Sequence, residues 1–284
     1  MENIKFGCSL LSWILPNWEL SAGKYAIEQT AKHQFDLLEI LLPPYQEFEV
    51  KEVKKELEKY HLDVVCSFNL PANAHISSYP KESLVLIKKA INYTAELETD
   101  FLGGVLHSGL GYFSGNTITN EEKNTIIEVW QEAASYASQY GISIAIEPIN
   151  RYESYVCNTA KNVLDLIGKT NCDNLFLHLD TFHMNIEEDN FNDPILLANN
   201  KLKHLHITES NRGMLGEGTV NWDELFIALN KINFSGNLVL ENFSSQVKGM
   251  SNAVSLWQES TYNAEDLAVR SLQFMKEKVE LHFN

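Results

Sequence analysis

The prediction of the fold starts from the stretch Leu175-Phe176-Leu177-His178-Leu179-Asp180. Side chains alternate between the two faces of a strand, so Leu177 and Leu179 share one face while His178 and Asp180 share the other. The leucine face suits packing against helices, and the other face places a carboxylate at the carboxyl end of the strand. The stretch therefore predicts a strand that packs against helices on one side and ends at a polar site on the other.

A unit of this kind, a short β-rich run followed by a helical pattern, recurs along the 284-residue chain. The predicted strands are Ile4–Leu10, Leu37–Leu42, Asp63–Phe68, Phe101–Leu106, Ile142–Ile146, Leu175–Asp180, Leu202–Thr208 and Asn237–Asn242. The predicted helices are Lys24–His33, Glu49–Tyr60, Lys81–Leu97, Glu121–Tyr140, Ala160–Lys169, Pro194–Asn199, Trp222–Lys231 and Ala264–Val279. Several helices carry apolar residues at positions i, i+3, i+4 and i+7. For Glu121–Tyr140, Asn120 is the predicted cap and Gly141 the predicted end.

Successive strand-then-helix units predict parallel strands joined by right-handed crossovers. Eight such units close a barrel, so the predicted fold is α/β, a single (β/α)8 TIM barrel over residues 1–284. An open, doubly wound sheet is the main alternative, but it usually stops at about six strands and needs a glycine-rich turn after its first strand. Here that turn reads Ser9-Leu10-Leu11-Ser12-Trp13, without glycine. The barrel is therefore preferred.

The composition indicates an ordinary globular chain, with 44% hydrophobic and 21% charged residues and a formal net charge of −16. An acidic surface repels phosphodiester backbones, because nucleic-acid affinity depends largely on Lys and Arg. No apolar run approaches the roughly 20 residues that span a bilayer, and the N-terminal residues lack the layout of a signal peptide. The four cysteines are scattered, which is typical of reduced thiols. We therefore expect a cytoplasmic protein with neither a nucleic-acid nor a membrane partner.

The predicted carboxyl ends of the last four strands each carry a potential metal ligand. These residues are Glu147, Asp180, His206 and Glu241. In a TIM barrel the active site lies at these strand ends, and counting back by two from each residue places all four on the face that points into the barrel. Singly, each would more often be a helix cap, a solvated charge or a core histidine. Their shared face and shared end predict one metal site instead.

A divalent cation would resolve the repulsion among the three carboxylates of this set, whose pKa values burial would otherwise raise. Oxygen-rich ligation with one imidazole suits Mn²⁺, Co²⁺ or Mg²⁺. We expect one divalent ion, with Mn²⁺ as the first choice and Zn²⁺ still open.

Three further polar side chains, Glu153, His183 and Arg212, follow the predicted ligands by three or six residues. This spacing places them on the loops above the metal, where they would exchange hydrogen bonds with a polyol. Arginine is scarce in the chain, so an arginine beside a ligand motif indicates a planar donor for the substrate. Arg151, which also follows a predicted ligand, is predicted to form a surface ion pair with a nearby carboxylate.

These residues lie in stretches that resemble the D-tagatose/D-psicose (allulose) 3-epimerases, a family within the xylose-isomerase-like barrel superfamily. The matching stretches are Ile146–Glu153 (IEPINRYE), Leu179–Glu188 (LDTFHMNIEE), His204–Arg212 (HLHITESNR), Gly216-Glu217-Gly218 and the strand that ends at Glu241. The likeness covers nearly the whole chain, including Gly103-Gly104 on the fourth strand. Of these stretches, the second is the longest and is highly specific.

The resemblance implies a ketose 3-epimerase, an isomerase that acts on a free ketohexose or ketopentose through a metal-bound cis-enediolate. It implies that the four strand-end residues bind the metal and that Glu153, His183 and Arg212 contact the sugar near its carbonyl end. Glu147 and Glu241 would double as the acid/base pair. The resemblance also implies a homodimer or homotetramer.

Other functions stay open on sequence alone. Within the superfamily they are an aldose–ketose isomerase, a hydroxypyruvate isomerase, an inosose dehydratase and a sugar-phosphate epimerase. An apurinic-site endonuclease would be expected to carry a basic face, and a non-catalytic sugar-binding barrel to lack one acid/base glutamate. The stretches after the first and fourth strands depart from the family, which leaves the preferred sugar open. Four aromatic residues are predicted either to wall the far end of the sugar or to pack in the core or a lid: Trp13, Phe68, Tyr112 and Phe113.

Overall fold

Parallel strands form a closed ring in which each strand pairs with the next one along the chain and the last pairs with the first. The computed structural model describes residues 4–283; the outermost residues of the predicted domain, Met1–Asn3 and Asn284, lie outside the described residues. The strands are β1 (Ile4–Ser9), β2 (Leu37–Leu41), β3 (Asp63–Ser67), β4 (Phe101–Gly103), β5 (Ser143–Ile146), β6 (Leu175–Asp180), β7 (Leu202–Ile207) and β8 (Gly236–Leu240). The predicted (β/α)8 barrel is confirmed.

Helices connect successive strands and surround the barrel. Within residues 4–283 the α-helices are α1 (Leu20–Lys32), α2 (Val50–Tyr60), α3 (Pro80–Glu96), α4 (Asn120–Ser138), α5 (Ala160–Thr170), α6 (Thr181–Glu187), α7 (Asn192–Ala198), α8 (Trp222–Lys231), α9 (Met250–Ala253) and α10 (Ala264–His282). Short 3₁₀ helices lie at Leu10–Ser12, Ala72–Ala74 and Asn199–Lys201. Two short helices, α6 and α9, were not predicted from the sequence. None of the helices over this range is both long and apolar enough to cross a bilayer.

The start and end of α4 differ from the predicted ones. Thr119, not Asn120, caps the helix: its side chain accepts a hydrogen bond from the backbone N–H of Glu122, and the Glu122 carboxylate accepts one from Thr119 N. This reciprocal pair satisfies two N–H groups that would otherwise lack partners. The helix ends at Ser138, and Gly141 follows with a φ of +70°, a value that suits glycine.

Two apolar layers hold the barrel together. The outer layer lies between the strands and the helices and includes the leucines predicted to face outward on β6, Leu177 and Leu179. The inner layer fills the barrel and is built from Leu37, Val65, Phe101, Ala145 and Val239, with Phe176 packed against them. The predicted alternation of inward and outward side chains is thus confirmed. Above the inner layer, toward the carboxyl ends of the strands, the inward-facing side chains become polar.

Candidate active site

A cavity of about 700 Å³ opens at the carboxyl ends of the strands. Its walls include Glu147, which follows β5, His206 on β7, and Glu241, which follows β8. Asp180 ends β6 and is paired in register with His206 on the neighbouring strand. The four strand-end residues predicted to bind a metal are therefore at one end of the barrel, as the fold requires.

The three carboxylates of this set converge on one nitrogen atom of the fourth residue, His206. His206 Nδ1 lies 3.5 Å from Glu241 Oε2, 3.7 Å from Glu147 Oε1 and 4.0 Å from Asp180 Oδ2. All four residues are buried, and His206 Nδ1 has no hydrogen-bond partner. A buried imidazole nitrogen that faces three carboxylates without a partner is a donor set that fits a divalent cation.

Close backbone contacts fix the position of Glu147. Its N–H donates to the carbonyl oxygen of Gly104 at 3.0 Å, just beyond the end of β4. Gly104 has a φ of +114°, and a Cβ atom there would lie 2.5 Å from the carbonyl oxygen of Phe68. Only glycine fits this conformation and this close approach. The second glycine of the Gly103-Gly104 pair thus helps to place a predicted acid/base residue.

Arg212 supplies a positive charge at the centre of the site. Its Nη1 lies 2.7 Å from Asp180 Oδ2 and 2.6 Å from Glu241 Oε2, so one nitrogen bridges two carboxylates. The guanidinium also lies over the ring of Phe182, 4.1 Å from its centroid. The structure therefore brings Arg212 to the predicted ligands, where it offsets part of their repulsion.

The site's carboxylates differ in their affinity for protons. Burial, opposed in part by His206, acts with the charges of Asp180 and Glu241 to raise the pKa of Glu147 well above its ordinary value. Burial would also raise the pKa of Asp180, but Arg212 and His183 outweigh it and lower that pKa. Groups whose environments separate their pKa values are typical of acid/base sites.

His183 faces the site from the first turn of α6. That helix starts directly after β6 because the Asp180 carboxylate accepts a hydrogen bond from Phe182 N at 2.8 Å. The backbone N–H of Asn150 donates to His183 Nδ1 at 3.2 Å, so a neutral His183 carries its proton on Nε2. His183 Nε2 lies 3.7 Å from Asp180 Oδ2 and 4.0 Å from Glu147 Oε1. It is thereby placed as a donor toward the cavity.

Glu153 reaches the cavity wall and is held by a residue that the sequence did not single out. The side-chain amide of Asn150 donates to Glu153 Oε1 at 2.8 Å. Asn150 therefore connects two predicted substrate contacts, Glu153 and His183. The position of Asn150 in the stretch that begins at Glu147 could have indicated that it belongs to the site. An asparagine near a proline in a loop is common, however, so this position alone did not single it out.

The structure also tests the predictions made for Arg151 and for four aromatic residues. Arg151 forms the predicted ion pair, donating to both carboxylate oxygens of Glu187 at 2.9 Å. The arginine is exposed as predicted, but the Glu187 side chain is buried. The aromatic residues predicted either to wall the sugar or to pack elsewhere do not line the cavity. Trp13 and Phe68 are buried in the outer apolar layer, Tyr112 stacks on His75, and Phe113 lines a separate surface cavity. The apolar side chains on the cavity wall include instead Leu11, Leu41, Val105, Leu110, Phe182 and Phe243.

The sequence also gave no role to Glu39, a carboxylate at the bottom of the cavity. Its Oε2 lies 2.9 Å from His206 Nε2 and contacts His204 Nε2 as well. A charged residue in the middle of the apolar run Leu37–Leu42 was the signal that would have revealed it.

The chain matches the xylose isomerase-like TIM barrel family over residues 23–278. It belongs to this family. Among its relatives, the L-ribulose 3-epimerase of Methylomonas sp. (strain DH-1) is 33% identical over 284 residues, which cover 98% of each chain. The ketose 3-epimerase of Arthrobacter globiformis is 33% identical over 293 residues, covering 98% of this chain and 100% of the relative.

A solved structure of a family member is also closely similar. The D-allulose 3-epimerase from Methylomonas sp. in complex with D-allulose superposes with a TM-score of 0.91 at 32% identity, over 97% of each chain. Such relatives are isomerases that act on sugars. The predictions of family, fold class and enzyme class are thereby confirmed.

Proposed function

We propose that this chain is a metal-dependent ketose 3-epimerase that acts on a free ketohexose or ketopentose. The observation that carries the proposal is the pair Glu147 and Glu241, whose oxygens lie 3.7 and 3.5 Å from the same nitrogen of His206. The two glutamates follow β5 and β8, which are separated by two other strands in the ring. They therefore approach the cavity from different sides, as inversion of a carbon centre requires.

The metal would be held by Glu147, Asp180, His206 and Glu241. Three carboxylates and one imidazole favour Mn²⁺, with Co²⁺ or Mg²⁺ as alternatives. The bound ion supplies Lewis-acid polarisation of the ketose carbonyl and lowers the cost of negative charge on the neighbouring oxygens.

The two glutamates would move the proton. One of them removes the proton from C3, and the electrons of the C3–H bond move to give a cis-enediolate across C2 and C3. The other glutamate returns a proton to C3 from the opposite face, which inverts that centre without any net gain or loss of atoms.

The residues above the glutamates would orient the sugar. His183 presents an Nε2–H toward the cavity, and Arg212 presents a guanidinium beside Asp180 and Glu241. Both are donors for the oxygens of the carbonyl end. Glu153, which accepts from Asn150, offers an acceptor for a hydroxyl.

The charge of the cavity favours a free sugar over a sugar phosphate. Among the residues that line it, Arg212 is the permanent cation, and it is already paired with two carboxylates. A phosphate dianion normally needs unpaired Lys or Arg side chains or a helix N-terminus. The similar solved structure holds unphosphorylated D-allulose.

The test is to incubate the Mn²⁺-loaded protein with a panel of free ketoses in D₂O. C3 epimers should form, and deuterium should appear at C3 of the ketose at the same time. Aldose products without C3 epimers would contradict the proposal and indicate an aldose–ketose isomerase. If only phosphorylated ketoses are turned over, the proposed free-sugar substrate is wrong but the proposed epimerase reaction is not.

A further inference from the structure

Glu39 is an acidic residue in the middle of an otherwise apolar strand. The sequence of β2 reads Leu-Leu-Glu-Ile-Leu, and Glu39 is 2% exposed. Burial of an ionised carboxylate is strongly unfavourable unless it has close polar partners. The partners of Glu39 therefore indicate why an acid occupies this position.

Both partners are histidines on β7, across the interior of the barrel. Glu39 Oε2 is hydrogen-bonded to His206 Nε2 at 2.9 Å and lies 2.5 Å from His204 Nε2. These histidines are two residues apart, so both point inward. The other nitrogen of His204, Nδ1, faces the side-chain amide of Asn237 at 3.4 Å.

This contact determines which nitrogen of His206 carries the proton. An ionised carboxylate only accepts hydrogen bonds, so the Nε2 atom that faces Glu39 must be the protonated one. An imidazole that binds a metal is neutral and has one ring proton, so His206 Nδ1 is left with the lone pair that can bind the ion. That lone pair points at Glu147, Asp180 and Glu241, whose nearest oxygens are 3.5 to 4.0 Å away.

We propose that Glu39 is a positioning residue that holds His206 in its Nε2-protonated form and fixes the ring with Nδ1 toward the metal. This inference rests on the proposed function, because it concerns the ion that the function requires. A carboxylate behind a metal-binding histidine orients the ring and raises its basicity, and its removal typically lowers metal affinity about 10–100-fold.

A purely structural role for Glu39 makes a different prediction. If Glu39 only satisfies two buried histidines, its replacement lowers the thermal stability of the metal-free protein and leaves the affinity for metal unchanged. Metal affinity and melting temperature must therefore be measured on the same variants.

The experiment is calorimetric titration of Mn²⁺ into metal-free wild type, Glu39→Gln and Glu39→Leu. Glu39→Leu should weaken Mn²⁺ binding by about 10–100-fold. Glu39→Gln should weaken it less, because the amide oxygen still accepts from Nε2–H but carries no charge.

The matched control is Glu209→Gln. Glu209 is also fully buried, but it accepts from the backbone N–H groups of Gly216 and Val220 and from the Trp222 indole. This variant should lose thermal stability and keep the Mn²⁺ affinity of wild type.

A second measurement does not depend on metal. The ring ¹⁵N signals of His206 in the metal-free protein, recorded at a pH high enough for the ring to be neutral, should show the Nε2-protonated tautomer in wild type and in Glu39→Gln. In Glu39→Leu they should show a mixture of tautomers, since the acceptor has been removed. Should Glu39→Leu fail to fold, the calorimetry of Glu39→Gln still decides, because its side chain has the same shape as glutamate.

The outcomes separate this inference from the proposed function. Wild type that binds Mn²⁺, together with Glu39 variants that bind it equally well, would overturn the role of Glu39. Wild type that binds neither Mn²⁺, Co²⁺ nor Mg²⁺ would instead overturn the metal requirement of the proposed function.

Discussion

Glu147 and Glu241 face the same nitrogen of His206, but their other contacts differ. Glu241 is bridged to Asp180 by Arg212, whereas Glu147 has a raised pKa because of burial and neighbouring negative charge. The proposed reaction needs both carboxylates, one on each face of the planar intermediate. Either one alone would exchange the C3 proton without inverting the centre.

Glu147→Gln and Glu241→Gln should each lower the turnover number for C3 epimerisation by about 10²–10⁴-fold, because positioned proton transfer contributes that much. The measurement is kcat at saturating Mn²⁺, so that weaker metal binding is not mistaken for lost chemistry. Glu188→Gln is the control, since Glu188 accepts from Ala160 N and is outside the cavity. Wild-type turnover in either acid/base variant would remove that residue from the mechanism.

Arg212 and a divalent cation would neutralise the same carboxylates. Arg212→Ala should therefore lower the free energy of unfolding of the metal-free protein by about 3–5 kcal/mol, the usual result of removing one partner of a buried ion pair. Added Mn²⁺ should recover part of this loss. The measurement is chemical denaturation with and without metal.

Arg270→Ala provides the comparison for Arg212→Ala. The Arg270 ion pair with Glu217 lies on the surface, with both side chains about half exposed, and such pairs contribute little. Stability should barely change in this variant, and it should not respond to metal differently from wild type. An equal response to metal in both arginine variants would show that Arg212 and the ion do not share ligands.

The residues of the site were predictable where they ended a strand or followed one at a short spacing. Glu147, Asp180, His206 and Glu241 converge because the ends of parallel strands meet at one rim of the barrel. Glu39 and Asn150 were missed because they act on other side chains, His206 and His183, through distances that only the folded chain defines. No spacing in the sequence relates β2 to β7.

At the scale of elements, strand positions followed from the sequence more closely than the short helices did. The apolar runs marked all eight strands, although β4 is only Phe101–Gly103 where Phe101–Leu106 was predicted. The cause is Gly104, whose positive φ ends the strand. The unpredicted helix α6 has seven residues, too few for a 3.6-residue period to be visible, and it starts because Asp180 caps it.

The capping box of α4 gives a prediction about this element. Thr119→Ala should lower the free energy of unfolding by about 0.5–2 kcal/mol, because the backbone N–H of Glu122 loses its acceptor. The measurement is thermal or chemical denaturation at neutral pH. A stability equal to wild type would mean that the start of α4 is held by its packing and not by the cap.

The capping box of α4 should also make the stability of the folded protein depend on pH, because it includes the carboxyl group of Glu122. Burial would raise the pKa of this carboxyl, but hydrogen bonds from Tyr155 and Thr119 outweigh it and lower the pKa. A group with a lowered folded-state pKa stabilises the protein above its unfolded value, about 4.3, and that stability is lost as the pH falls through the folded value. Glu122→Gln should therefore lower the melting temperature at pH 7 and differ less from wild type below pH 4.

At the scale of the whole molecule, the proposed metal joins the ends of four strands that are distant in sequence. Ligands from residues 147 to 241 exist together only in the closed barrel, so the ion binds the folded state and not the unfolded chain. Binding of this kind stabilises by mass action. Metal should therefore raise the melting temperature of the entire barrel and not only order the site.

The expected size of this effect follows from the free metal concentration. At 100 times the dissociation constant, Mn²⁺ should add about 2.7 kcal/mol, which raises the melting temperature by roughly 4–5 °C, and a chelator should reverse the shift. In Asp180→Asn the increase should largely disappear, because the amide can still cap α6 but is a poor metal ligand. If that variant gains as much stability from Mn²⁺ as wild type does, the ion binds elsewhere on this acidic protein, and the four strand ends do not form its site.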